Sequence, residues 1–496
     1  MDTLTAYRKH MLDIARLGSA NSLLGWDLET HMPAKAIRFR SEVIGLLSKM
    51  MFERFTSDEV GAWISELSAR DDLSFEESAS VRVVGRDYHR RKKLPAELVE
   101  QHAIARAQAQ PAWAEARQKS DFNLFLPHLV KMIDFAKRIA DCYGYEGEPY
   151  DALLEDYEPG MNTAKLRAII APLRDELVPF IKRLTEDGTA PDTSFLQGEF
   201  DPDTQKALAY RALDLVGYDH ERGALGEVAH PFCVGISPND VRVNNRYPAD
   251  RLESGLFGAL HEGGHAMYGQ GMPESLYGLH LSDGASNGFH ESQSRMIENQ
   301  VGRSRPFWRF FQPTLAEFFP RFADTDPESL YRAMNVVTPS FIRVEADEVT
   351  YNFHIMLRLE IETGLVNGTI DPNDLPRLWN EAMEKYLGIV PPNDALGVLQ
   401  DVHWSMGYVG YFPSYMLGNL YAAQLFATMR EALPSLDTQI EQGDFEPLLA
   451  WLRENVHQYG AAYEPEELIT KITGRPLDGS FFARYVTEKY SDIYRL

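Results

Sequence analysis

The chain has 496 residues, 44% hydrophobic and 25% charged, which is the balance of a soluble globular protein with room for a large core. Its 73 acidic against 49 basic residues leave a net charge of −24, which repels phosphate backbones and anionic headgroups and so argues against nucleic acid or a membrane surface as partner. Two cysteines, Cys142 and Cys233, cannot make a disulfide framework, and the first residues lack the apolar core of a signal peptide, so a reducing, cytoplasmic setting is expected.

In chain order, the pattern is helical for most of its length. FLPHLVKMIDFAKRIADCYGY (125–145), TAKLRAIIAPLRDELVPFIKRLTEDG (163–188) and DTQKALAYRALDLVGY (203–218) place apolar residues at i, i+3, i+4 and i+7. The second of these starts after an Asn162 cap and stops at Gly188. Breaks such as LTEDGTAPDTS (184–194) are short and polar, as turns between helices are. From about residue 228 to 290 the helical period fades, and Gly, Pro, Asn and alternating β-branched residues predict a few short strands and loops. The expectation is one catalytic domain over 1–496. It has a helical half (1–200), a half that binds metal and substrate (201–496), and a small β element beside a central groove.

Inside the irregular region lies His261-Glu262-Gly263-Gly264-His265. On a helix, histidines four apart lie on one face a turn apart, so both imidazoles reach one ion, and Glu262 projects beside it, placed to take a proton from the attacking water. Apolar residues flank the motif (Leu256, Phe257, Ala259 and Leu260 before it; Ala266, Met267 and Tyr268 after), as a buried helix requires. Gly263 and Gly264 each cost about 1 kcal/mol relative to alanine in a helix interior, which predicts a neighbouring backbone or a substrate pressed against them. A third ligand is needed, with one position left open. GFHESQSRMIENQVG (288–302) offers Glu291, with His290 and Glu298 as competitors; Glu298, seven residues on, shares a face with Glu291 and suits a supporting role.

These motifs, taken with others in order along the chain, resemble the M32 carboxypeptidases, the carboxypeptidase Taq type. WDLETHMP (26–33) and YDALLEDYEPGM (150–161) are similar to the family's helical N-terminal half. HPF (230–232), DVRVN (240–244), HEGGH (261–265), HESQSR (290–295), IRVEAD (342–347) and GVLQDVHW (397–404) are similar to its catalytic half. The resemblance implies a mostly α, zincin-type domain assembled as a saddle-like homodimer with a groove in each subunit. It also implies a metal-dependent exopeptidase that releases single residues from peptide C-termini with broad specificity. Carried over by position, His261, His265 and Glu291 hold the metal and Glu262 is the base. The ligands suit Zn2+, and Co2+ binds such a set too. One position departs: Asn244 stands where the family has threonine.

The oxyanion needs donors besides the metal. HWSMGYVGYFPSYMLGN (403–419) supplies His403, Tyr408, Tyr411 and Tyr415, of which the resemblance favours His403 with either Tyr411 or Tyr415. Free C-terminal carboxylates call for an arginine. The resemblance points to Arg343; the residues alone leave Arg242, Arg246, Arg295 and Arg303 open, and His230 is a further candidate for the groove wall. The strand predicted near VRVNNRY is suited to pairing with extended peptide along its edge. Competing readings are an oligopeptidase that cuts internally and a catalytically silent peptide-binding protein.

Overall fold

The computed structural model of the protein describes residues 2–496. α-Helices carry most of the chain, and a three-stranded sheet is the β structure among the described residues. The chain folds into two compact units, each assembled from segments distant in sequence.

The first unit comprises the residues up to Arg91, Asp192–Met334 and Leu425–Pro476. It opens with two long helices, α1 (Thr3–Thr30) and α2 (Ile37–Phe55), packed on each other and tied by the Arg40–Asp27 ion pair. Tyr7, Met11 and Phe55 anchor the base of this hairpin in a cluster with Val60, Ile64, Leu67, Val84 and Tyr88. From residue 12 to residue 54, by contrast, no residue is buried. Phe39 (64% exposed), Val43 and Leu46 (59%) lie at helical spacing on an open face of α2.

The sheet of this unit has the order β1-β3-β2 (Leu225–Glu227, Asp240–Asn245, Phe232–Ser237). β1 runs parallel to β3, pairing Leu225 with Val243, and β2 runs antiparallel, pairing Phe232 with Asn244. The strand expected to offer an edge to peptide is therefore the middle one, with its main chain paired on both sides; the edges of the sheet are β1 and β2. Against β3 packs the helix Leu252–Gly271, which carries the histidine pair.

The second unit comprises Lys92–Pro191, Asn335–Gln424 and Leu477–Leu496. The helices Ala96–Lys119 and Phe122–Tyr143 pair, as do Thr163–Glu186 and Ser480–Tyr494. Asn162 caps Thr163–Glu186 as the sequence predicts, its side chain accepting from the Lys165 N–H at 2.9 Å. The helix Tyr351–Asn367 is enclosed on all sides, with only Glu360 and Asn367 escaping burial. It carries Glu362, whose buried carboxylate accepts from the Tyr150 hydroxyl and the Trp404 indole N–H, each at 2.7 Å, and from the Gly410 N–H at 3.1 Å. Burial pushes its carboxyl up to about 7, against the pull of those donors. These bonds pin both ends of the 404–410 turn.

Truncating Glu362 strands three buried donors at once. Glu362→Ala is expected to cost about 3 kcal/mol of stability in urea unfolding followed by tryptophan fluorescence. An unchanged midpoint would show that the donors find other acceptors.

Candidate metal centre

His261 and His265 stand one turn apart on the same face of Leu252–Gly271, ring centroids 5.1 Å apart. The third donor comes from the helix Asn287–Arg295. The sequence suggests a break at Gly288 and a start at Glu291. Instead Ser286 caps the helix, accepting from the Phe289 N–H at 3.0 Å, and Glu291 sits one turn in. Its Oε2 lies 3.3 Å from His265 Nε2 and 3.7 Å from His261 Nε2. Ligand atoms of all three residues fall within 4.8 Å of one another. Two imidazole nitrogens and one carboxylate oxygen converging in this way fit a divalent cation of the zinc type.

The two glycines explain how the helices come so close. A Cβ on Gly264 would stand 2.5 Å from the Gln293 carbonyl oxygen and 2.6 Å from Ser294 Cα, so the backbone of the Glu291 helix lies directly against this position. A Cβ on Gly263 would meet Leu213 Cδ2 at 2.3 Å, on the helix Pro202–Val216. The neighbour predicted from the sequence is protein at both positions, and at Gly264 it is the segment that delivers the third donor.

Charged partners surround the set. Glu298 Oε2 accepts from His261 Nδ1 at 2.9 Å, leaving Nε2 toward Glu291, in keeping with the supporting role read from its spacing. It is carried by a π-helical stretch, Met296–Val301, that continues the Glu291 helix. Arg295 donates through Nε to Glu291 Oε1 at 2.7 Å and reaches Glu298 through Nη1 at 3.4 Å. It thereby holds the ligand carboxylate with Oε2 turned to the histidines. Arg303 lies 3.6 Å from Glu298 and over the Phe257 ring. Although burial penalises their charge, Arg295 and His261 keep Glu291 well below the ordinary carboxylate range, and His261 and Arg295 hold Glu298 down at about 2. His290 is no part of the ligand cluster: its Nδ1 lies 2.6 Å from His265 Nδ1. A His265 tautomer that leaves Nε2 free for a cation would carry its proton on Nδ1 and donate it to His290, which burial holds neutral, down at about 4. Glu262 is buried beside His261, and burial pushes its carboxyl up to about 7, opposed by His261 and reinforced by Glu291 and Glu298.

Of the other candidates in the first unit, His230 is exposed in the bend before β2. Arg242 is held by Asp240 through bonds of 2.7 and 2.8 Å and lies 4.2 Å above the Trp26 ring. Arg246 lies just past β3 in the same unit, whereas Arg343, His403, Tyr408, Tyr411 and Tyr415 belong to the second unit, where they cluster. Arg343 donates to Asp401 Oδ1 at 2.9 and 3.2 Å and to the Tyr351 hydroxyl at 2.8 Å. The other Asp401 oxygen takes two bonds from Arg358. One carboxylate thus neutralises one of two guanidiniums and leaves a positive charge over. Tyr415 packs against Arg343 (4.6 Å from guanidinium carbon to ring) and its hydroxyl lies 3.3 Å from His403 Nε2. Tyr411 stands edge-on to Tyr415 at 5.2 Å. Burial first, and the two arginines after it, hold His403 down at about 4, so its imidazole is neutral.

Sequence reasoning missed three participants. Asp401 and Arg358 stand far from Arg343 in the chain, and nothing in their spacing announces the cluster. Arg295 stood only as a rival for substrate, although its place four residues after Glu291 is the spacing of a helical ion pair.

Residues 6–490 match the model of the carboxypeptidase Taq (M32) metallopeptidases. The chain is 42% identical to Carboxypeptidase 1 of Bacillus subtilis over 99% of both chains. It is 39% identical to Thermostable carboxypeptidase 1 of Thermus thermophilus over 97% of each. Among solved structures, an M32 carboxypeptidase from Deinococcus radiodurans superposes with a TM-score of 0.97 at 36% identity, covering 100% of both chains.

The close approach at Gly264 can be tested directly. Gly264→Ala forces the two helices apart and is expected to lower metal affinity at least about 100-fold, measured by zinc retention on dialysis, with helical circular dichroism preserved. Glu298→Ala is expected to lower it by about 10–100-fold through the loss of the His261 partner.

Proposed function

Because the chain belongs to the carboxypeptidase Taq (M32) metallopeptidase family and is a metal-dependent carboxypeptidase, we propose that zinc, held by His261, His265 and Glu291, serves it in releasing single residues of many kinds from free peptide C-termini. The observation that carries this reading is the convergence of the three donors with Glu262 alongside them, buried.

The cation, when bound, supplies positive charge that activates water and polarises the scissile carbonyl. The chain supplies the rest. Glu262 accepts the proton of the attacking water and returns it to the leaving amine, and burial tunes it for that exchange. Arg343, with the surplus charge of its cluster, receives the terminal carboxylate. Neutral His403 and the Tyr415 hydroxyl donate to the developing oxyanion, with Tyr411 packed edge-on against Tyr415. The open apolar stripe Phe39 (64% exposed), Val43 and Leu46 supports a homodimer in which α2 meets a second copy. A reducing, cytoplasmic compartment suits Cys142 and Cys233, both free thiols.

Chelation is expected to abolish release of C-terminal residues and added zinc to restore it. Glu262→Gln should retain zinc yet lose about 1,000-fold or more in kcat. Because the base works deprotonated, kcat/KM falls as pH drops through the Glu262 pKa. That value is about 7 without the ion and lower with the cation beside it, and the Gln variant lacks this acid limb. Arg343→Ala is expected to raise KM about tenfold or more for peptides with a free carboxylate, and C-terminally amidated peptides should resist the parent enzyme. Cleavage of the amidated peptides would favour an internally cutting oligopeptidase. Val43→Glu with Leu46→Glu should convert dimer to monomer in analytical ultracentrifugation.

A further inference from the structure

Ala15, Gly18, Ser19 and Ser22 recur along one face of α1 at three- and four-residue intervals, and Trp26 continues the same stripe one turn later. The first four form a wall of a cavity of about 390 Å³ that reaches His265 and His290 and is bounded elsewhere by β2. Small residues facing a cavity beside the metal histidines leave space that larger ones would fill.

Burial does not hold this wall in place, because α1 has no buried residue beyond Met11. Polar ties do. At one end the Ser19 hydroxyl and the Tyr277 hydroxyl share a bond of 2.8 Å. At the other, the Trp26 indole N–H donates to Asn244 Oδ1 at 2.9 Å, and Asn244 Nδ2 donates to the Phe232 carbonyl at 3.1 Å. Arg242, itself fixed by Asp240, covers the Trp26 ring. β1 makes room for the amide: a Cβ on Gly226 would stand 2.2 Å from Asn244 Oδ1.

We propose that the small-residue face of α1 is a specificity wall that admits a substrate side chain beside the metal centre, and that Asn244, acting through Trp26, is the positioning residue that sets where the wall stands. The proposal rests on the carboxypeptidase reading above. Asparagine presents a separate acceptor and donor, each one bond further from the backbone than a threonine hydroxyl. A threonine at 244 therefore cannot keep both bonds unless α1 moves toward β3. The departure from the family pattern at this position thus bears on which side chains are admitted.

The test uses the zinc-loaded enzyme and N-blocked peptides in which either residue flanking the scissile bond is Ala or Phe. Ser22→Leu fills the wall and is expected to lower kcat/KM for one of the Phe peptides about tenfold, sparing the Ala peptide. Trp26→Phe and Asn244→Ala break the same hydrogen bond. Each should shift the Phe-to-Ala ratio in the same direction by about fivefold through KM, with kcat within about twofold of the parent. The double variant should go no further than either single one, and both should speed hydrogen exchange in α1. Unchanged ratios in Ser22→Leu and Trp26→Phe, or an equal loss of kcat on every peptide, overturn the proposal. If Asn244→Ala fails to fold, Trp26→Phe, which leaves the buried amide in place, still decides. A parent enzyme that cleaves none of the peptides would refute the carboxypeptidase reading instead.

Discussion

The metal centre depends on one close approach, the backbone of Gln293 and Ser294 against Gly264. Two histidines on a single helix would hold an ion weakly alone; a second helix brings a carboxylate within reach of them, and the two axes can come this near only where one carries no side chain. The local preference of Gly264 for disorder is overridden by what packs on it. The other ordered features of the site follow from this contact. Ser286 starts the second helix at the right residue, Arg295 turns the carboxylate, and Glu298 orients the first imidazole from the far side.

Charge is distributed to match. Around the three donors, three carboxylates (Glu262, Glu291, Glu298) face two guanidiniums (Arg295, Arg303) and the His261 imidazole, which, despite burial, Glu291 and Glu298 push up to about 9, so that without a cation a proton on His261 offsets the third carboxylate. Around Asp401, two guanidiniums face one carboxylate, an excess of one positive charge. The second cluster alone keeps a charge without a partner, and a buried charge left unbalanced costs free energy.

The sequence makes legible what depends on short spacing. The four-residue step between the histidines, the seven-residue step from Glu291 to Glu298 and the Asn162 cap are all features of a single helix, and each has its structural counterpart. It is silent where partners are far apart in the chain. Arg343 meets Asp401 and Arg358, and Trp26 meets Asn244, through folding alone. Alternation suggests a strand near 241–247 without saying that it is the middle of the sheet, since neighbour order is a tertiary property. Likewise nothing in the pattern tells that no residue from 12 to 54 is buried, because hydrophobicity does not distinguish a core from an open face.

The π-helical stretch Met296–Val301 places an unusual demand on chain length. A π segment holds one residue more than the α-turn it interrupts, and each residue of an α-helix advances about 100° around the axis. Loss of a single residue between Arg295 and Glu298 would relax the stretch toward α-helix and swing Glu298 by that angle away from His261. Met296 and Ile297, which lie between them, are buried, so the stretch is held by its packing as well as by its length. A graft of the two-helix site into another scaffold therefore has to carry the irregular turn and its buried side chains together.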